Sequence, residues 1–498
     1  MAKQNKKFYV TSSIAYTNAP AHIGFAQEVV QTDVLARYHR LLGENVFYLT
    51  GTDEHGQKNV KAAEEAGKTP KEFVDEISEN FKALKGILNL SNDDFIRTTD
   101  QKRHWPAVRK VWRKLKENGD VYKKKYKGLY CIGCEAFVKE KDLINGKCPI
   151  HKKEPEVIEE ENYFFRLSKY QKQIKQIIEK DKIKIIPEAR KNEILNFIRQ
   201  GVEDVSCSRL RENLKWGIPV PDDETQTVYI WLEALVNYIS ALGYAEDGTK
   251  FKQFWPADVH CVGKDIFRFH CLLWPAMLLS IKIPLPKTVL IHGFITVAGQ
   301  KMSKSLGNVI DPFELVKKYG TDAVRYFLLR EIPPTEDGDF TYPKFEERYN
   351  SDLAKGLGNL VARVLTMAER TKIQEYTHIA VQSQLDQTWK NSQKALSEFK
   401  FNEALMAIWD LISFADGYIE RERPWEVITE LPTKERNQRT GQKVAINNLL
   451  FILGNIAQLL QPFLPETSEK IFEQLGIKPD KKPWQFKIKK GKILFPKI

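Results

Sequence analysis

The strongest constraint on the fold lies in residues 8–53. A short β-prone run, Phe8–Ser12, passes through a polar turn, Tyr16-Thr17-Asn18-Ala19-Pro20, into a helical pattern and then into a second buried run, Val46–Thr50. Ile23, Ala26, Val30, Val34 and Leu41 recur three, four or seven residues apart, and Gly43 is placed to cap the helix they form. Strand, helix, strand in this order is a βαβ unit, the building block of a parallel sheet. Ligands on such sheets sit beyond the carboxyl ends of the strands, where His22 and Asp53 both fall.

At 498 residues the chain is too long for one ordinary core, and about two to four domains are expected. A hydrophobic share of 42% with 29% charged residues describes a folded globular protein rather than a disordered one. The net charge of +12 suits a polyanionic partner, and equally suits the Lys- and Glu-rich habit of many thermophile proteins, so charge alone does not decide. No apolar core follows the basic start Met1–Lys7, so no secretory leader is expected. The longest apolar stretches, Phe269–Ile281 and Leu449–Leu464, are interrupted or too short for a bilayer, and no membrane partner is expected. Six cysteines in a chain of this length do not make a disulfide framework, which points to the reducing cytoplasm.

Near Gly119 the texture changes. Lys and Tyr alternate through Val121–Lys127, followed by closely spaced cysteines and a charged stretch to Glu161, so 119–215 reads as an insertion. Strand signals return near Val259–Gly263 and Val289–Ile295 and complete the sheet. From Tyr342 onward the long periodic segments Leu353–Met367, Asn402–Ile419 and Ala445–Leu460 argue for a helical bundle.

Within the insertion, Cys131-Ile132-Gly133-Cys134 and Cys148-Pro149-Ile150-His151 form two pairs, each with two residues between its members, and thirteen residues separate the pairs. Each pair puts two ligands on one tight turn, and two such turns close a tetrahedron around Zn²⁺. Unrelated buried thiols rarely produce both spacings with a histidine at the fourth corner. Four protein ligands leave no open position, so one structural zinc per chain is expected. Cys207, Cys261 and Cys271 lack such partners and read as small core residues.

His22 stands at a helix start, where free backbone N–H groups and the positive dipole end suit phosphate, and Gly24 lets a nucleotide approach the backbone. A lone His-x-Gly is more often an accident of helix starts. Its standing rises with Lys301-Met302-Ser303-Lys304-Ser305-Leu306-Gly307-Asn308, after an expected strand Ile291–Val297. Two lysines three apart with hydroxyls and a glycine make a cationic loop able to follow charge developing on phosphate oxygens. No Gly-x-x-x-x-Gly-Lys-Ser/Thr element is present, which speaks against a P-loop NTPase.

His22-Ile23-Gly24-Phe25 with Lys301–Ser305 resembles the paired signatures of class I aminoacyl-tRNA synthetases. The wider sequence is similar to the methionyl members. The matching segments are Thr11–Tyr16, Thr50–Gly56 (TGTDEHG), Ile230–Tyr238 (IWLEALVNY), His260–Phe267 (HCVGKDIF), His292–Ser305, Leu357–Arg363 (LGNLVAR) and Arg423–Trp425. Their order and spacing over nearly the whole chain make the match specific. The resemblance implies an α/β Rossmann-like parallel-sheet catalytic domain with a zinc-bearing insertion, followed by an all-α helical bundle that reads the anticodon. The expected division is 1–118 and 216–300 for the two catalytic halves, 119–215 for the insertion, 301–348 for the lysine loop and stem-contact region, and 349–498 for the bundle.

The resemblance also implies site residues. Ser13, Ile14, Tyr16 and His292 match positions around methionine, and Asp53 the carboxylate that holds its α-ammonium group. Trp231, Ala234, Leu235 and Tyr238 match the methionine pocket, and their spacing of three, four and seven places them on one helical face, which by itself would read as ordinary core. Rings around a thioether are favourable, since sulfur packs well against them. Gly263 and Asp265 match nucleotide positions, the carboxylate on the ribose hydroxyls, and His22, Gly24, Lys301 and Lys304 match phosphate-handling ones. Asn359, Arg363 and Trp425 match anticodon-reading positions; an amide and a guanidinium suit base edges and an indole stacks on an unstacked base.

The implied reaction joins L-methionine to tRNA(Met) at the expense of ATP, with Mg²⁺ accompanying ATP. The sequence departs from the pattern at Phe25, where the family usually has a second histidine, so one phosphate donor is missing. That leaves a noncatalytic tRNA-binding descendant as one rival. Another class I synthetase such as a cysteinyl one is a second, and a small-molecule nucleotidyltransferase, with no use for a long helical bundle, a third. An insertion of about 100 residues is too small for a large editing domain. The chain ends soon after the bundle, and a monomer is expected.

Overall fold

The computed structural model describes residues 6–133, 136–138, 140–149, 152–302, 306–370, 380–425, 432–480 and 484–498. Two compact units divide the chain: Met1–Thr32, His39–Gly86 and Leu90–His292 form the first, and Asp33–Tyr38, Ile87–Asn89 and Gly293–Ile498 the second.

The first unit is built on six strands in the order Asp94–Arg97, Asn45–Asp53, Lys7–Tyr16, Val259–Gly263, Thr288–His292 and Lys184–Ile186, every neighbour parallel. The βαβ unit expected from residues 8–53 is present, its strands longer at their ends and its helix spanning Ile23–Leu41. Gly43 terminates the helix in the left-handed region (φ +78°), its N–H donating to the Arg40 carbonyl at 2.9 Å. Parallel sheets are covered on both faces, and the strands are accordingly buried along most of their length. At Gly51 a side chain would overlap the Ile96 carbonyl oxygen of the neighbouring strand, so the chain uses a residue without Cβ just before Asp53.

The segment 119–215 is less separate than its texture implies. Lys184–Ile186, a strand of only three residues, pairs with Thr288–Leu290 as the edge of the main sheet. Around it lies a four-stranded antiparallel sheet in the order Ala136–Val138, Val121–Cys131, Glu156–Phe165 and Val205–Ser206. Its long hairpin sets Lys125 opposite Glu161 and Lys127 opposite Glu159, so the lysine run and the acidic run neutralise each other across the ladder.

The expected strand Ile291–Val297 is broken. Thr288–His292 stays in the main sheet, and after Gly293 a new strand, Ile295–Val297, enters a three-stranded sheet with Gln300–Lys301 and Gly338–Phe340. A side chain at Gly293 would overlap the backbone of Glu336 and Asp337, which fixes the break at a glycine.

The remainder of the second unit is helical among its described residues, including Thr321–Arg330, Tyr349–Gly358, Asn359–Glu369, Gln382–Ser397, Phe401–Glu422, Pro432–Leu460 and Pro465–Leu475. Gly441–Leu460 is long and apolar enough to cross a bilayer, but 78% of that stretch is buried in the protein, the signature of a bundle core helix. Arg325 is fully buried and organises this unit. Its guanidinium donates to the carbonyls of Phe463 (2.7 Å), Leu88 (3.0 Å) and Pro462 (2.9 Å) and pairs with Asp33 at 2.8 Å. Arg325→Met is therefore expected to lower the unfolding free energy by about 3–5 kcal/mol, because three buried carbonyls lose their donor together. Urea unfolding measures this, and a loss below about 1 kcal/mol would show the network to be dispensable.

Candidate functional site

The site of the first unit gathers at the carboxyl ends of the central strands. Lys7–Tyr16 carries an irregularity: Thr11 pairs with Leu49 but Ile14 with Gly51, so one extra residue bulges from the strand. The bulge turns Ser13 toward helix Ile23–Leu41, where its N–H and Oγ both donate to Glu28 Oε1, at 2.6 and 2.7 Å. Glu28 Oε2 lies 2.8 Å from His292 Nε2. Ser13 and His292, far apart in sequence, thus meet through a carboxylate that sequence reasoning passed over. Gly263 and His292 end adjacent strands in register, and a Cβ at Gly263 would stand 2.7 Å from Asp265 Oδ1 and 3.7 Å from the His292 ring. Gly263, Asp265 and His292 are therefore one patch.

His22 precedes helix Ile23–Leu41. Its Nδ1 accepts from the Gly24 N–H at 3.0 Å, which places the ring proton on Nε2 as a donor. The ring keeps an exposed edge, yet the protein body around it lowers its pKa, with the Asp265 carboxylate opposing. A neutral imidazole presenting Nε2–H beside a helix N-terminus is a phosphate donor. Phe25 stands next on the helix, and its ring meets Phe81 edge-on at 5.2 Å.

Tyr16 and Asp53 are register partners on adjacent strands, and Asp53 is buried. Tyr16 meets Trp231 edge-on at 6.0 Å, and Trp231 stacks on Phe269 at 3.8 Å. The expected single helix is two short ones, Ile230–Leu235 and Asn237–Ser240, joined through Val236 with helical angles. Trp231, Ala234, Leu235 and Tyr238 are all buried. The Tyr238 hydroxyl donates to His270 Nε2 at 2.7 Å, since His270 Nδ1–H is engaged by the Ile266 carbonyl at 3.1 Å. His260 packs on the Tyr238 ring at 4.2 Å and meets Thr11 Oγ1 through Nδ1 at 2.8 Å. Glu28, Phe269 and His270 were missed by sequence reasoning. Only His270, a polar residue at the head of the apolar run Cys271–Met277, carried a sequence signal.

The lysine loop begins in the second unit. Lys301 pairs with Thr296 across an antiparallel ladder, and its ammonium lies 5.3 Å from the Phe294 ring centre. Asp339 pins the loop's base by accepting from Thr296 Oγ1 and the Gly299 N–H, both at 2.7 Å. Lys304 lies outside the described residues, as do Cys134 and His151 of the expected zinc set. Cys131 and Cys148 are buried; Cys131 closes its strand, and the Lys152 N–H donates to the Cys148 carbonyl at 2.8 Å. In the bundle, Asn359 is exposed at the start of its helix. Arg363 is paired with Asp416 (3.4 Å) and Glu420 (2.7 Å). Trp425 is 44% exposed, a surface indole rather than a core one.

Known proteins match this arrangement along the whole chain. A family model described as tRNA synthetases class I (M) matches residues 8–152 and 134–365, and one described as anticodon-binding domain of tRNA ligase matches 380–490. The chain is 44% identical to a methionine–tRNA ligase of Caldanaerobacter subterraneus, covering 99% of this chain and 79% of that protein. This chain belongs to the class I tRNA synthetases, in their methionine branch. A Bacillus subtilis methionine–tRNA ligase is 42% identical over 100% of this chain and 79% of its own length. Among solved structures, methionyl-tRNA synthetase of Mycobacterium tuberculosis in complex with methionyl-adenylate superposes with a TM-score of 0.90 at 36% identity, covering 95% of each chain. In this synthetase, then, the Rossmann-like sheet and helical C-terminal region are the family's own.

Two histidines under the site make the first unit acid-sensitive. Burial lowers the pKa of His270 to about 4 and that of His104 to about 3, the latter helped by the charge of His55. Both lie below the unfolded value of about 6.5, so the stability they contribute is present above that pH and lost as pH falls. Between pH 6.5 and 4 each is expected to remove up to about 1.4 kcal/mol per pH unit. Urea unfolding at several pH values should give a shallower slope in His104→Asn than in the parent chain. Identical slopes would show that His104 is not held neutral.

Proposed function

We propose that this synthetase activates L-methionine and loads it onto tRNA(Met). The observation that carries the reading is the likeness to methionine–tRNA ligases along nearly all of this chain, at 44% identity over 99% of it. In the first step a methionine carboxylate oxygen attacks the α-phosphorus of ATP, forming methionyl-adenylate as the bond to pyrophosphate breaks. In the second, the terminal ribose hydroxyl of tRNA attacks the adenylate carbonyl and AMP leaves. Mg²⁺ accompanies ATP and offsets phosphate charge.

Within that reaction His22, through Nε2–H, and the Gly24 backbone bind phosphate oxygens where negative charge develops, and Lys301 and Lys304 add positive charge. Gly263 and Asp265 take the adenosine ribose. Asp53 takes the α-ammonium group, while Ser13, Ile14, Tyr16, Trp231, Ala234, Leu235, Tyr238 and His292 enclose the rest of methionine. A largely hydrophobic pocket discriminates near-isosteres by only about 1–3 kcal/mol per methylene. Asn359, Arg363 and Trp425 read the anticodon, Arg363 by exchanging its carboxylates for a base. Cys131, Cys134, Cys148 and His151 hold one Zn²⁺, which ties two turns together and lends no chemistry to the reaction; the two buried thiols, each beside a turn, support that set. The enzyme works as a monomer in the cytoplasm.

Methionine-dependent ATP–pyrophosphate exchange tests the reading. It is expected to be present, and His22→Ala is expected to lower it about 10²- to 10³-fold. Absence of exchange with any amino acid would leave a noncatalytic tRNA binder, and exchange with cysteine a cysteinyl enzyme. Phe25→His is expected to speed adenylate formation while lowering stability by about 1 kcal/mol through loss of the Phe81 contact. No acceleration means the missing donor is already replaced. Metal analysis of the purified protein is expected to give one zinc per chain, reduced in Cys148→Ser; a metal-free parent chain would remove zinc from the account.

A further inference from the structure

The segment that carries Asp53 is clamped by its neighbours. Asn59 Nδ2 donates to the carbonyls of Asp53 and His55, at 3.1 and 2.9 Å. The next carboxylate, Glu54, is fully buried, gripped by Arg97 at 2.6 and 2.9 Å and by the hydroxyls of Thr52, Ser78 and Thr99. The Trp216 indole donates to the Glu54 carbonyl at 2.6 Å, and Gly56, at φ +98°, bends the chain into the following helix. From this segment the side chain of His55 reaches helix Ile230–Leu235. Its Nδ1 lies 2.6 Å from Glu233 Oε1, and the two side chains are only 3% and 0% exposed. Glu233 sits on that helix between Trp231 and Ala234, facing away from solvent. Burial raises the Glu233 carboxyl's pKa, while the charge and hydrogen bond of His55 oppose the rise.

A buried pair of this kind adds little net stability over an apolar pair of equal volume; what it adds is a fixed length and direction. The two elements it joins carry the two halves of amino-acid recognition. We propose that His55 and Glu233 are positioning residues for the amino-acid substrate: their hydrogen bond sets the spacing between the Asp53 carboxylate, which takes the α-ammonium group, and the Trp231–Ala234 wall, which takes the side chain. The inference rests on the reading of Asp53 and Trp231 as methionine-binding residues given above. The pair touches neither substrate. Its effect belongs to methionine binding and leaves ATP binding alone, because the phosphate and ribose groups hang on His22, Gly24, Gly263 and Asp265.

The test uses the full chain. Equilibrium dialysis with radiolabelled L-methionine gives Kd, and ATP–pyrophosphate exchange gives kcat and the KM for each substrate. Glu233→Leu and His55→Leu are each expected to weaken methionine binding and raise its KM about tenfold or more, with the KM for ATP within about twofold. The double variant is expected to be no worse than either single one, since the same bond is lost. Glu233→Gln still accepts from the His55 N–H and is expected to restore methionine Kd to within about threefold of the parent. An unchanged methionine Kd in the leucine variants overturns the proposal. So does a parallel rise in the KM for ATP, which marks general damage, or a failure of glutamine to rescue. If the leucine variants do not fold, Glu233→Asp replaces them: one methylene shorter, it must weaken methionine binding relative to Glu233→Gln, and equal binding overturns the proposal. A parent chain without methionine-dependent exchange refutes the functional reading itself, whereas an active parent with unaffected variants refutes only the positioning role.

Discussion

The candidate site of the first unit is hung on the parallel pairing of Lys7–Tyr16 with a strand on each side. One neighbour, Asn45–Asp53, follows directly in sequence; the other, Val259–Gly263, arrives some two hundred residues later. The order of strands reverses at this point, which is where open parallel sheets receive ligands. Ser13 and His22 follow from one side of this point and Gly263, Asp265 and His292 from the other, linked through Glu28. Shift this pairing by one residue and the strand faces exchange, taking Asp53 and Tyr16 away from each other.

Regularity is broken where chemistry is wanted. The bulge between Thr11 and Ile14 costs ladder hydrogen bonds but frees Ser13 to meet Glu28. The Glu28 carboxylate is buried and would be costly alone; Ser13 on one oxygen and His292 on the other offset that cost. Local violations of an otherwise consistent fold are where sites are expected. The same holds for Gly51, where the absence of a side chain permits close approach of strand Asp94–Arg97 just before the buried Asp53.

What the sequence made legible was whatever has a period or a motif. The βαβ unit could be read from the change of spacing near His22, and the bundle from long helical repeats such as Asn402–Ile419. Lys184–Ile186 could not: three residues carry no measurable alternation, and their strand character exists only because Thr288–Leu290 offers an edge. The break at Gly293 was hidden because Ile291–Val297 is uniformly β-prone, and only the close passage of Glu336–Asp337 demands it. In the site, family resemblance placed single residues, while the bonds joining them, Glu28 to His292, Tyr238 to His270 and His55 to Glu233, are long-range pairings that no local pattern encodes. Charge left two explanations open in the sequence, and the structure adds only that Lys125 and Lys127 face glutamates across their own hairpin.

The contact between Phe25 and Phe81 gives the residue at position 25 a packing role of its own. The ring is a hydrophobic anchor tying the start of helix Ile23–Leu41 to helix Pro70–Ile87. A polar ring at 25 would meet the edge of Phe81, and a smaller residue at 81 would leave Phe25 without its neighbour. A change at either position alone therefore gives up the ring–ring contact.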